Sequence, residues 1–439
     1  MRAQSRRRTL AGAALAGAFA ALGALAAQAG GPETVHWEID ANRGYSPDVV
    51  QLTLTGVTDT GRSMISSPSS LNVLVGLTAD QLAGASAHQV AFRVSRDAGE
   101  FECQGVAQAG HASGECRFHG SQSFTQLLQA RGAGRADTAE LYRMSVHNVG
   151  ANYLDELRRL NYPTPSVDEL ARAGEHGVSL KYIRDMAVAG LQAARVDDLI
   201  LAHDHGVDAS YVEAMRRAGY GAMRADALVQ LRDHGVSGEY VAGLKQAGLE
   251  RLRVDQIVQL RDHGVGGAWL GVLQRAGYGG LPVDQLVVLH DRGVSADYVA
   301  ALQQAGYPRL PVDQLAKLHD HGVSPEWLAG LRLAGYGGLS VDQLIYLRDR
   351  GVSAEFVDGL RRAGYRHLAP EEITLLRDHG VDPGFVQAVV AQGYGETSPG
   401  EIARMRDHGL TSETLRRARA FGPSLSVDQI IRLRDSGTI

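Results

Sequence analysis

Apolar and polar residues alternate along this chain with two different periods. Between residue 34 and about residue 125 the period is two. VHWEI (35–39), VQLTLTGV (50–57), QVAFRV (89–94), EFECQGV (100–106) and ECRF (115–118) each put apolar side chains on one face. That is the pattern of half-buried strands. The Ser/Pro-rich GRSMISSPSSLN (61–72) predicts a loop, and LTADQLAG (77–84) a short helix. Phe101 and Cys103 share a face, as do Cys116 and Phe118. The glycines between them, Gly105, Gly110 and Gly114, suit a hairpin with bulges or a loose turn.

From Thr138 the period becomes helical. VDQLVVLHDRGVSADYVAALQQAGYPRLP (283–311) is followed by VDQLAKLHDHGVSPEWLAGLRLAGYGGLS (312–340), so the repeat is 29 residues long. Gly177, Gly206, Gly235, Gly264, Gly293, Gly322, Gly351, Gly380 and Gly409 keep this spacing. Asn148 holds the same phase upstream, and Gly437 comes one residue early. Nine full repeats (138–398), a 28-residue repeat (399–426) and a half repeat (427–439) follow one another. Such self-similarity marks a repeat array.

Each repeat predicts two short helices. Val283, Leu286, Val287 and Leu289 form one apolar face, and Tyr298, Val299 and Leu302 another. Ser340 with Gln343, Ser166 with Glu169 and Ser426 with Gln429 are capping boxes. Ser295, Ser324 and Ser353 stand where the second helix needs its N-cap, and Pro325 and Pro383 follow that position. Gly206, Gly235, Gly264, Gly293, Gly322, Gly351 and Gly380 are structural turn residues just past the first helix. Helices of ~10 residues are marginal alone, so they must stack on their neighbours. The expected fold is mainly α: an α-solenoid of short helix pairs preceded by a small β-rich domain. The expected segments are a cleaved signal peptide (1–29), the β-rich domain (30–125), a linker (126–137) and about ten and a half repeats (138–439).

The recurring pentapeptide RDHGV (232–236, 261–265 and 377–381) invites a metal or acid–base reading. Stacked helices lie roughly 8–10 Å apart, too far for histidines of successive repeats to share one metal. Arg292, Arg350 and Ser436 also take the histidine slot. A cation there favours the helix dipole, so His205, His234, His263, His321, His379 and His408 are expected to be structural. The Asp beside them is disfavoured by the same dipole. Asp204, Asp233, Asp262, Asp291, Asp320, Asp349, Asp378, Asp407 and Asp435 therefore need a compensating contact. The expectation is hydrogen bonds from backbone N–H groups of the turn or from the neighbouring repeat. Two aromatic ladders, one from Tyr153 to Phe385 and one from Tyr162 to Tyr394, are expected to pack between repeats rather than to form a binding track.

The N-terminus changes the picture of where the chain works. Arg2, Arg6, Arg7 and Arg8 precede an apolar run from Leu10 to Ala27, and Ala27-Gln28-Ala29 is a cleavage pattern. This is the grammar of a secretory signal, through either the Sec or the Tat route. No later stretch reaches the ~18 apolar residues of a membrane helix. Export favours a disulfide between Cys103 and Cys116. Free thiols, or a metal with His111 or His119, are the alternatives. Net charge is −5, which gives no footprint for nucleic acid. No HExxH, GxSxG, Walker or CxxCH motif is present. No catalytic residue, cofactor or metal is assigned, and the chain is not expected to be an enzyme.

Repeats built from LRDHGVS (231–237) and LRRAGY (360–365) resemble those of exported bacterial proteins. Some of these are extracytoplasmic regions attached to membrane peptidases of the beta-lactam-sensing antirepressor class. GEFECQGVAQAGHASGECRF (99–118) shares the resemblance more loosely. It implies an interaction module outside the cytoplasm, periplasmic or secreted, with a protein or peptide partner. It implies no catalysis, because the membrane helices and the HExxH zinc motif of those peptidases are missing here. Two other functions fit less well. The Gly-Val-Ser turn between helices is similar to a helix-turn-helix, but acids and bases alternate and leave no basic face. The β-rich domain could instead bind carbohydrate or another envelope component, with the array as a stalk.

Overall fold

A computed structural model describes residues 34–439 except 42–45, 47, 59, 60, 423 and 424. The expected signal peptide, 1–29, lies outside the described residues. The chain forms two compact bodies. One runs to Leu180 and includes Arg195–Asp197; the other holds Lys181–Ala194 and Asp198–Ile439.

The first body is built on a six-stranded antiparallel sheet. Its strands are β1 (Val35–Asp40), β2 (Val49–Thr58), β3 (Gly61–Ser70), β4 (His88–Arg96), β5 (Gly99–Gln108) and β6 (His111–Gly120). Their order is β3-β2-β1-β6-β5-β4, with β1 closing the gap between two runs of hairpins. Period-two alternation buries Val35, Trp37, Ile39, Phe92 and Phe101 on one face. Leu74, Leu77, Leu82 and Tyr142 cover that face. Tyr142 belongs to the helix Thr138–Val146, the first helix of the repeats, and meets Phe101 and Phe118 edge-on. The 77–84 prediction is met by the helix Ala79–Ala83, capped by Thr78 and Gln81.

Three expectations need correction. Residues 61–70 are not a loop but β3, paired along its length with β2. Ser66 and Pro68 occupy an edge strand, where a missing N–H is tolerated. The glycines between the two cysteines form no loose turn or bulge. A two-residue turn at Ala109 and Gly110, both with positive φ, joins β5 to β6 in unbroken register. Gly105 faces Gly114 beneath Trp37, where a Cβ on Gly105 would come within 2.6 Å of the indole. The expected linker, 126–137, begins inside the helix Gln122–Ala130. Cys103 and Cys116 are directly opposite in the register and joined as a disulfide.

The repeats form two files of like helices. The first helix Val254–Asp262 packs on Ala225–Asp233 and Val283–Asp291. The second helix Gly238–Gln246 packs on Ala209–Arg217 and Gly267–Leu273. Leu231, Leu260, Leu289 and Leu318 are fully buried between them. The start signals act as expected: Ser166, Ser340 and Ser426 close capping boxes, and Ser295, Ser324 and Ser353 cap the second helices. No helix among the described residues is long and apolar enough to cross a membrane.

Candidate functional site

The pentapeptide 261–265 ends one helix and turns into the next. Gly264 adopts φ +72, a left-handed conformation that costs a side-chain-bearing residue about 1–2 kcal/mol. Its N–H donates to the Arg261 carbonyl at 3.0 Å, and the Val265 N–H to the Leu260 carbonyl at 2.9 Å. These two bonds are a Schellman cap, which satisfies carbonyls the helix leaves open. Gly206, Gly235, Gly293, Gly322, Gly351 and Gly380 take φ between +64 and +72. Asn148, in the same phase, takes φ +57. Asn tolerates that region better than other side chains.

Every other residue of the pentapeptide touches an adjoining repeat. Arg261 lies over the ring of Tyr240, 5.1 Å from its centroid. Arg232 lies likewise over Tyr211, Arg348 over Trp327 and Arg406 over Phe385. Where His takes this first position it meets the ring edge-on: His203 on Tyr182, His290 on Trp269, His319 on Tyr298. Val265 is fully buried, and its carbonyl accepts from the Tyr240 hydroxyl at 2.8 Å. The same bond ties Tyr153 to Val178, Tyr182 to Val207, Tyr211 to Val236 and Tyr298 to Val323. Trp269 and Trp327 keep it through the indole N–H, donated to Val294 and Val352.

The aspartate's partner is the histidine of the preceding repeat. The Nδ1–H of His234 donates to Asp262 at 2.9 Å. His205 donates to Asp233, His263 to Asp291, His321 to Asp349 and His379 to Asp407 in the same way. Arg292 takes this part toward Asp320. His408 still reaches Asp435 at 3.0 Å, although the shortened repeat reduces the separation from 28 to 27 residues. The carboxylate that the helix dipole disfavours is thus paired across the repeat boundary, one of the two contacts expected for it. Arg350 departs from the pattern and lies over Tyr346 of its own first helix, 3.9 Å from the ring centroid.

Magnitudes rank these contacts. A buried valine contributes about 1.5–3 kcal/mol and a hydroxyl-to-carbonyl bond about 1 kcal/mol. An exposed cation–ring contact contributes about 0.5–1 kcal/mol, and an exposed ion pair less than about 1 kcal/mol. Apolar burial therefore dominates, and the polar contacts fix the register between neighbours. The second tyrosine ladder adds longer ties: Tyr220 and Tyr278 donate to the Leu252 and Leu310 carbonyls, both at 2.9 Å.

The histidines of HDHGV are separated by function. His203 meets the ring of Tyr182, whereas His205 meets Asp233. Among the described residues, no group of three or more His, Cys, Asp or Glu is placed to hold a metal ion. Sequence spacing alone did not reveal the 28-residue His–Asp link, because only stacking brings those two positions together. No protein-family model matches the chain, and neither does any curated protein.

Burial pushes the phenols of Tyr211, Tyr240 and Tyr298 up to about 12 from 10.0. Only the protonated phenol donates to the valine carbonyl. A pKa raised on folding means stability is fully present below pH 10 and is lost as pH rises through about 12. Thermal melts of the protein should therefore fall across that window. A triple variant, Tyr211→Phe, Tyr240→Phe and Tyr298→Phe, should melt lower at neutral pH and lose less across the window. Parallel curves for the two proteins would contradict this.

Proposed function

We propose that this chain is an exported, non-enzymatic repeat scaffold, an α-solenoid that binds protein or peptide partners in the cell envelope. The observation that carries the reading is a division of labour within the repeats. The residues of the recurring pentapeptide are occupied by contacts with neighbours, while some exposed positions vary from repeat to repeat. One exposed position late in the second helix holds Val188, Arg217, Gln246, Arg275, Gln304, Leu333 and Arg362 in successive repeats. Val188 is 78% and Leu333 83% exposed, although apolar. Packing between repeats does not explain such a row, whereas a partner lying along it would use each residue differently. Stacked repeats offer long surfaces of this kind. The Cys103–Cys116 disulfide fits an oxidising compartment outside the cytoplasm.

Cross-linking in the intact envelope, followed by capture of the full chain, tests the proposal. A discrete protein partner should be recovered and should be lost from a variant carrying Arg217→Glu, Arg275→Glu and Leu333→Asp. Recovery of only the chain itself, or retention of the partner by that variant, would overturn it. Cell fractionation separately tests export: the chain should lie outside the cytoplasm, shortened at its N-terminus.

A further inference from the structure

The solvent face of the sheet is a second surface, separate from the repeats. Register places Asp40 between Gln51 and His111 in one cross-strand row. The next row runs Ser66, Thr53, Glu38, Ser113, Val106. The two rows line a hollow of 710 Å³, within the range of small-molecule sites. Its chemistry is specific. Two carboxylates, Glu38 and Asp40, face it, and no Lys or Arg among the described residues lines it. Among the described residues that line it, the imidazole of His111, 3.7 Å from Asp40, is the one basic group. The Ser66 hydroxyl accepts from Gln51 Nε2 at 2.7 Å and shares a hydrogen bond with Thr53 at 2.8 Å. Val106 is apolar yet 42% exposed.

We propose that this hollow binds an amine-bearing saccharide, a ligand with several hydroxyls and at least one protonated amino group. The carboxylates supply the charge that complements the amine, and charge-assisted hydrogen bonds are the stronger kind. The Gln51, Thr53, Ser66 and Ser113 side chains both donate and accept, as ligand hydroxyls require. Val106 offers a patch for the C–H face of a sugar ring. Acetylating the amine removes its charge, and an anionic sugar or phosphate would face two carboxylates unpaired.

Calorimetric titration of the full chain tests this, with a fully deacetylated glucosamine trimer and its N-acetylated counterpart as probes. The deacetylated trimer should bind at least about tenfold more tightly, the scale of one charged hydrogen bond. Raising the salt should weaken it. Glu38→Gln should weaken it about tenfold, and Asp40→Asn serves as a second variant should the first fail to fold. Glu38 faces solvent, so the melting curve of Glu38→Gln should match the parent, whereas Asp40 is half-buried beside His111. Equal binding of the two trimers, binding of neither, or binding untouched by both variants would overturn the proposal. So would a lysine-rich peptide that binds as tightly as the deacetylated trimer, since charge alone would then suffice.

Discussion

Trp327→Ala should destabilise the repeats around it by about 3–5 kcal/mol, the usual range for emptying a large aromatic site. Trp327 is 7% exposed, so most of its ring area leaves water on folding. Its indole N–H donates to the Val352 carbonyl at 2.8 Å, and Arg348 lies over its ring. Truncation removes the ring and the donor together and leaves a carbonyl unpaired. In stacked repeats each unit depends on its neighbours, so the damage should be local. Hydrogen exchange should show lost protection in Pro325–Leu333 and Val341–Asp349, with far less change in β1–β6. Trp327→Phe keeps most of the ring and loses the donor, and should cost only about 1–2 kcal/mol. Phe356 and Phe385 stand at equivalent positions, which shows that the fold accepts a ring without a donor. An alanine variant as stable as the parent would contradict the packing role given to this ladder.

Reducing the Cys103–Cys116 bond should cost the first body about 3 kcal/mol, the cross-link's expected effect on an unfolded loop of this length. Both cysteines are nearly inaccessible, at 2% and 1%. Reduction should therefore be slow until β5 and β6 open. Loss of exchange protection should be confined to the sheet and its covering helices, and the variant Cys103→Ala with Cys116→Ala should behave alike. Unchanged protection in β5 and β6 would show that the ladder alone holds the hairpin.

The repeats were legible because their rules are local. Ser340 with Gln343 caps its helix whatever the surroundings, and Gly264 can turn left-handed because it has no Cβ. The need of Asp262 for a partner was legible too, since a carboxylate in a last turn opposes the dipole. The identity of that partner was not, because His234 lies 28 residues away and only stacking brings it near. The same holds for Tyr240 and the Val265 carbonyl. β3 was missed because serine and proline signal turns, while its pairing is set by β2. Gly105 and Gly114 suggested looseness, but their reason is close approach: a Cβ on Gly105 would strike the Ser113 carbonyl and the Trp37 indole, and one on Gly114 the Gln104 carbonyl. The hollow on the sheet left no motif at all, since its residues come from five strands.

The central claim is that RDHGV joins neighbouring repeats. A double-mutant cycle on Tyr240→Leu and Arg261→Ala, read by urea denaturation, tests it most directly. The two residues are 21 positions apart and meet only across a repeat boundary. A coupling of about 0.5–1 kcal/mol is expected, because each single variant already removes the shared contact. Strict additivity would contradict the account and reopen the pentapeptide to another role.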